Sequence, residues 1–140
     1  MPTPGPKRPL LRRIGRRGGF LLFLALLDMI YAYGLITPTA RSAQNPTTVF
    51  LSSVLPLEAW AGLWGMVGAL CLFYAFRQQD FPGYFAAMFL KVLWAGTFLM
   101  GWLFAGVERG YLSFAIWGAF GGVLALIAGW KENWERERGQ

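Results

Sequence analysis

Apolar residues in this chain gather into four long blocks separated by short polar breaks. The blocks cover about residues 19–37, 57–76, 84–106 and 111–130. Each is close to the ~20 residues a helix needs to cross a hydrocarbon core of ~30 Å. The pattern predicts an all-α integral membrane protein, with four transmembrane helices forming one domain over residues 19–130. Residues 1–18 form a basic, proline-rich tail and residues 131–140 a charged one.

The breaks carry their own signals. The first block stops before Pro38, and the connection over residues 38–56 is the longest. Within it Asn45-Pro46 reads as an N-cap followed by proline at the first helical position. Residues 47–55 therefore fit a short amphipathic helix in the first external loop, dipping Val49, Phe50 and Val54 into lipid. Proline between Asn45 and Thr47 rules out glycosylation there. Pro56 opens the second block. Arg77, Gln78, Gln79 and Asp80 make a polar turn, and Glu108-Arg109-Gly110 reverses the chain into the fourth block. Trp130 and Trp134 share a helical face and are expected as interface anchors at headgroup level.

Composition supports a lipid solvent: 56% of residues are hydrophobic and 14% charged, against roughly 25% charged in soluble domains. The net charge of +6 suggests nucleic acid only until the charges are placed. Of thirteen Lys and Arg residues, six precede the first block and three follow the last, which is a membrane distribution and not a basic groove. No nucleic-acid partner is expected. Four prolines among the first nine residues oppose a regular helix there. The basic segment behind them is expected to attract anionic lipids of the bilayer. An N-terminal cytoplasmic orientation puts ten Lys and Arg residues inside and two outside. The positive-inside rule then expects both termini in the cytoplasm and the chain in the inner or plasma membrane. A basic segment before an apolar one also resembles a signal peptide, but Asp28 interrupts the apolar stretch and no small-x-small cleavage site follows, so an uncleaved anchor is expected.

Candidate chemistry is sparse. The chain has no histidine, which removes imidazole bases and the usual zinc ligands. Its one cysteine, Cys71, sits among apolar neighbours as an inert thiol. No nucleophile–base pair or metal cluster can be assembled, so no catalytic, metal or cofactor residues are expected. Asp28, near the centre of the first span, costs roughly +2.5 to +3.5 kcal/mol against roughly −3 to −6 from the Leu, Ile and Phe residues around it. Such an acid should face protein or water. Lys91 enters the third span from the same side and lies within about one helical turn of the same depth. An Asp28–Lys91 ion pair fixing the first helix against the third is one reading. Lys91 snorkelling while Asp28 is protonated, or a proton- or ion-handling site, are the others. Glu58 and Asp80 sit where helix N-termini favour an acid.

Small residues form stripes suited to close helix packing in lipid. The second span has Ala61, Gly65 and Ala69, with Gly62 and Gly68 nearby; the fourth has Gly118 and Gly122, with Gly121, Ala125 and Gly129. They serve packing inside the monomer or self-association, and a homo-oligomer is expected. The tryptophans at 60, 64, 94, 102 and 117 read as boundary residues or neighbours of glycine, without a ligand cage.

Residues 55–65 (Leu-Pro-Leu-Glu-Ala-Trp-Ala-Gly-Leu-Trp-Gly), 90–94 (Leu-Lys-Val-Leu-Trp) and 106–117 (Gly-Val-Glu-Arg-Gly-Tyr-Leu-Ser-Phe-Ala-Ile-Trp) resemble small four-span membrane proteins of actinobacterial phages and prophages. The resemblance covers about residues 14–130 and carries no catalytic motif. It implies late phage genes, whose small membrane proteins are often holin-like. The expected function is non-enzymatic, self-associating, holin-like membrane permeabilisation. The alternatives are a structural or accessory subunit of a larger membrane complex, or a small transporter or channel using Asp28 and Lys91.

Overall fold

The structure is a computed structural model that describes residues 10–129, with side chains from residue 15 onward. Trp130, Trp134 and the charged C-terminal segment lie outside the described residues, as does the proline-rich start of the chain. Six helices follow one another: α1 (Leu10–Ile36), α2 (Ala40–Ala43), α3 (Pro46–Val54), α4 (Leu57–Tyr74), α5 (Phe81–Phe104) and α6 (Gly110–Gly129). No strand occurs among the described residues.

Four of these helices are long and apolar enough to cross a membrane: α1 from Gly15, α4, α5 and α6. At ~1.5 Å per residue, even the 18 residues of α4 come close to the hydrocarbon thickness. Their outer faces carry exposed Phe23, Leu26, Ile30, Phe73, Phe85, Phe89, Ile116 and Leu126, while Asp28 and Lys91 are fully buried. That arrangement inverts a soluble protein and marks a multi-pass membrane protein.

Helix α1 begins at Leu10, well before residue 19, because the helix-opposing prolines end at position 9. Gly15 breaks it with φ 59°, so residues 10–14 form a separate turn before the span. α5 begins at Phe81, three residues earlier than the apolar block, because Pro82 is tolerated in a first helical turn.

The connection between the first two spans is largely helical. Asn45 Oδ1 accepts a hydrogen bond from the Thr47 amide (3.1 Å), with Pro46 behind it as the first residue of α3. Leu51 is buried, and its carbonyl accepts a bond from the Trp60 indole at 3.1 Å. Val49 and Val54 are exposed, but Phe50 turns onto Gly101 of α5, where a Cβ would come within 2.9 Å of its ring. Phe50 therefore packs on the bundle, in place of the lipid insertion that its apolar spacing suggested.

The bundle consists of two helix pairs. α1 lies along α4, and α5 lies along α6, while α4 meets α5 across a thinner seam. Glycines set both intimate contacts. A Cβ at Gly68 would meet Ala25 O and Asp28 Cβ at 3.3 Å; one at Gly110 would meet Phe98 O and Trp102 Cβ at 2.7 Å. The reversal between α5 and α6 passes through Gly106 (φ 65°), which a side chain would strain, and through Arg109 (φ 58°).

Candidate functional site: a buried charge pair and its aromatic surround

Asp28 comes from the middle of α1 and Lys91 from the middle of α5. Lys91 Nζ donates to Asp28 Oδ1, and both side chains are wholly buried. Gly68 lets α4 close directly over the acid's Cβ, and Gly121 lets α6 approach Val92 and Lys91.

The ammonium also faces aromatic rings. Its nitrogen lies 4.2 Å from the Trp64 ring centroid and 5.9 Å from that of Trp117. Trp64 stacks on Tyr31 at 4.3 Å, and Tyr31 meets the edges of Trp94 and Trp117 at 5.8 and 5.3 Å. Trp94 in turn packs edge-on against Trp60, Trp64 and Phe98. All four spanning helices thus contribute a ring to one cluster, and the negative ring faces share in holding the cation.

The carboxylate is less well supplied. Asp28 Oδ2 and the Trp64 indole N–H have no hydrogen-bond partner. The Trp94 indole N–H is in reach of the Tyr31 hydroxyl but forms no bond of normal geometry. Buried polar groups left unpaired are costly and uncommon, so this centre is held by its surroundings at some expense.

A second charge pair closes one end of the bundle. Arg17 Nε donates to Asp80 Oδ2 at 2.7 Å and Nη2 to Oδ1 at 2.9 Å, a bidentate fork. Arg17 Nη1 donates to Ile127 O of α6 at 3.0 Å, and the Tyr84 hydroxyl donates to Arg17 O at 2.9 Å. This corrects the capping role read for Asp80: its carboxylate makes no cap bond to α5, and its backbone is helical (φ −99°, ψ −6°). A charge-assisted bidentate contact outweighs a single capping bond. Glu58 does lie in the first turn of α4, where the helix dipole favours it.

The two small-residue stripes have different fates. In α4, Ala61 is buried and Gly65 faces Ala32 Cβ at 3.9 Å, while Ala69 is exposed. In α6, Gly121 turns inward against Val92. Gly118, Gly122 and Gly129 have nothing near a prospective Cβ, and Ala125 is exposed.

Three features escaped the sequence reading: the choice of Arg17 among six basic residues, the Tyr84 hydroxyl, and the aromatic cluster. The last was present as spacing. Trp60 and Trp64 are four apart, and Trp94 and Phe98 follow Lys91 by three and seven, so each set shares a helical face. Trp60, Trp64 and Trp94 are core residues, which corrects the boundary reading for those not beside a glycine, while Trp64 does flank Gly65. Compared with protein-family models, with characterised proteins and with solved structures, the chain matches none.

Proposed function

We propose that this chain is a non-enzymatic membrane protein that self-associates and permeabilises a cell membrane in the manner of a holin, with both termini in the cytoplasm. The observation that carries this reading is the asymmetry of α6. One face, through Gly121 and Leu124, is committed to α5; another carries half-exposed Gly118 and exposed Gly122, Ala125 and Gly129, with open space beside the three glycines and a groove where Ala125 and Gly129 border α5. Small residues at four-residue spacing let a second helix approach closely.

The buried charges argue in the same direction. Asp28 and Lys91 are closed off from both membrane faces in the single bundle, which disfavours a transporter working through them as a monomer. Leakage then needs an assembly or an opening of the bundle. The same α6 face also suits a larger membrane complex, which is the second reading.

Induced expression tests the proposal directly. The expected outcome is abrupt loss of membrane potential and release of a co-expressed cell-wall hydrolase. Normal growth with intact potential at high protein levels would shift the assignment to an accessory subunit. Orientation is tested separately by reporter fusions: after Gln79 they should read cytoplasmic, and near Gln44 external.

A further inference from the structure

We propose that the seam between the α1–α4 pair and the α5–α6 pair is a closed path for water and small ions, with Asp28 and Lys91 as its lining in mid-membrane and Arg17 and Asp80 at one mouth. The inference rests on the permeabilising reading and says where in the molecule the leak arises.

The distribution of polar contacts carries it. The Arg17–Asp80 fork, the Arg17 bond to Ile127 O, the Tyr84 bond to Arg17 O and the Lys91–Asp28 bond all run from the first helix pair to the second pair or the turn that opens it. Cys71 Sγ donates to Gly83 O across the same seam, at 3.7 Å. Inside each pair the close contacts are glycine-mediated and include no ion pair, at Gly68 in one and at Gly110 and Gly121 in the other. Each pair is therefore closely packed, and the polar side-chain bonds between helices are concentrated where the two pairs meet.

That seam is also where polar groups remain unsatisfied. Asp28 Oδ2 and the Trp64 N–H make no bond in the closed bundle, and water entering between the pairs would satisfy both. Parting the pairs exposes an acid, a base and indole N–H groups to the new path. Parting α6 from α5 would uncover mainly Gly110, Gly121, Val92 and Trp102 with one flank of Lys91, and would leave both ion pairs closed. The α6 outer face offers a path no polar lining. The seam is the helix interface whose opening parts both ion pairs and lets water hydrate the groups they join.

The test uses single cysteines in a Cys71→Ala background, with the full chain reconstituted in vesicles of phosphatidylethanolamine and phosphatidylglycerol. Leu24→Cys and Ala87→Cys place thiols one turn before Asp28 and Lys91 on buried faces, leaving the charge pair intact; Leu26→Cys and Ala125→Cys face outward. A membrane-impermeant cationic thiosulfonate is added and potassium release is followed. The expected result is modification at positions 24 and 87 with loss of most of the release, and no modification at 26. Release with modification at 125 but not at 24 or 87 would overturn the seam and leave permeabilisation between copies standing. Modified seam cysteines without release would keep the opening and overturn the permeabilising reading. Neither release nor seam modification would overturn both. The Lys91→Met variant adds an independent reading: Asp28 alone in the path should shift the release toward cation selectivity, whereas unchanged selectivity counts against the lining.

Discussion

The contacts within each helix pair and the contacts between the pairs obey different rules. Within a pair, α1 meets α4 and α5 meets α6 by backbone approach at glycines, with no ion pair between them. Between the pairs, two ion pairs and the ring contacts of Trp94 and Trp117 with Tyr31, Trp60 and Trp64 do most of the joining. In lipid there is no hydrophobic drive to bring helices together, so close packing and polar bonding are the forces left. This molecule keeps its ion pairs for the seam, while glycine contacts serve both pairs and recur across the seam once, where Gly83 meets Tyr74. The close-packed interfaces should fail when shape is altered, and the seam should fail when one partner of a pair is removed.

Breaking the central pair is the sharpest way to test that division, and the largest loss is expected there. Lys91→Met leaves a buried carboxylate with neither oxygen bonded; a loss of about 3 kcal/mol, at the lower end for removing one partner of a buried pair, is expected in detergent–SDS unfolding. Asp28→Asn should cost less, because the ammonium keeps the face of Trp64 at 4.2 Å, a contact worth up to ~2 kcal/mol when desolvated. The double variant should recover part of the loss, with a coupling on the order of 1 kcal/mol. Strictly additive losses would show that the seam does not depend on the pair.

The matching experiment inside a helix pair alters shape without touching charge. A methyl at Gly110 would stand 2.7 Å from Phe98 O, a backbone atom that cannot turn aside. Gly110→Ala should therefore cost about 2 kcal/mol, in the range for overpacking a closed contact. Gly121→Ala meets the Val92 Cγ2 methyl at 3.2 Å, which a small side-chain shift relieves, so a smaller loss is expected. Equal losses at both positions would mean that the α5–α6 contact is less rigid than its backbone approach implies.

How much of this was legible in the sequence depends on which force is considered. The four spanning helices follow from block length alone. Asp28 and Lys91 came to one level by counting residues from the same membrane face, and rise per residue is a reliable ruler in helices. Their aromatic surround is less legible, because tryptophan in membrane proteins ordinarily marks interfaces, although Trp60 with Trp64, and Lys91 with Trp94, each share a helical face. Arg17 was not legible. Six basic residues at the N-terminal side all serve the positive-inside rule equally, and only the meeting of α1 with the start of α5 and the end of α6 selects one. The small-residue stripes were visible as composition, but spacing alone does not tell which faces a partner helix covers. Gly68, outside the α4 stripe, makes the closest α1 approach there.

At the edge of the seam a smaller effect is expected. Arg17→Lys keeps the positive charge but loses the planar fork that holds both Asp80 oxygens and the reach to Ile127 O. With the pair partly accessible, at 17% exposure on each side, screening limits the loss to about 1 kcal/mol. Thermal unfolding in detergent at low and high salt would measure it. A loss that vanishes in high salt fits an end clasp; a loss as large as that of Lys91→Met would make the end pair, not the central one, the main fastening of the two helix pairs.

The smallest effect on the single chain is expected on the outer face of α6, and it separates folding from association. Gly122 is exposed and nothing lies within 4 Å of a prospective Cβ. Gly122→Leu should leave unfolding within about 0.5 kcal/mol of the parent, as for a surface position free of special contacts. If α6 carries the self-association, the added bulk holds a second backbone away and energy transfer between labelled copies in vesicles should fall. Gly68→Leu provides the contrast, because it disturbs a contact inside one chain and should lower stability whether or not copies meet. Unchanged transfer in Gly122→Leu, with stability intact, would remove the α6 face as the assembly surface while leaving both helix pairs and the polar seam in place.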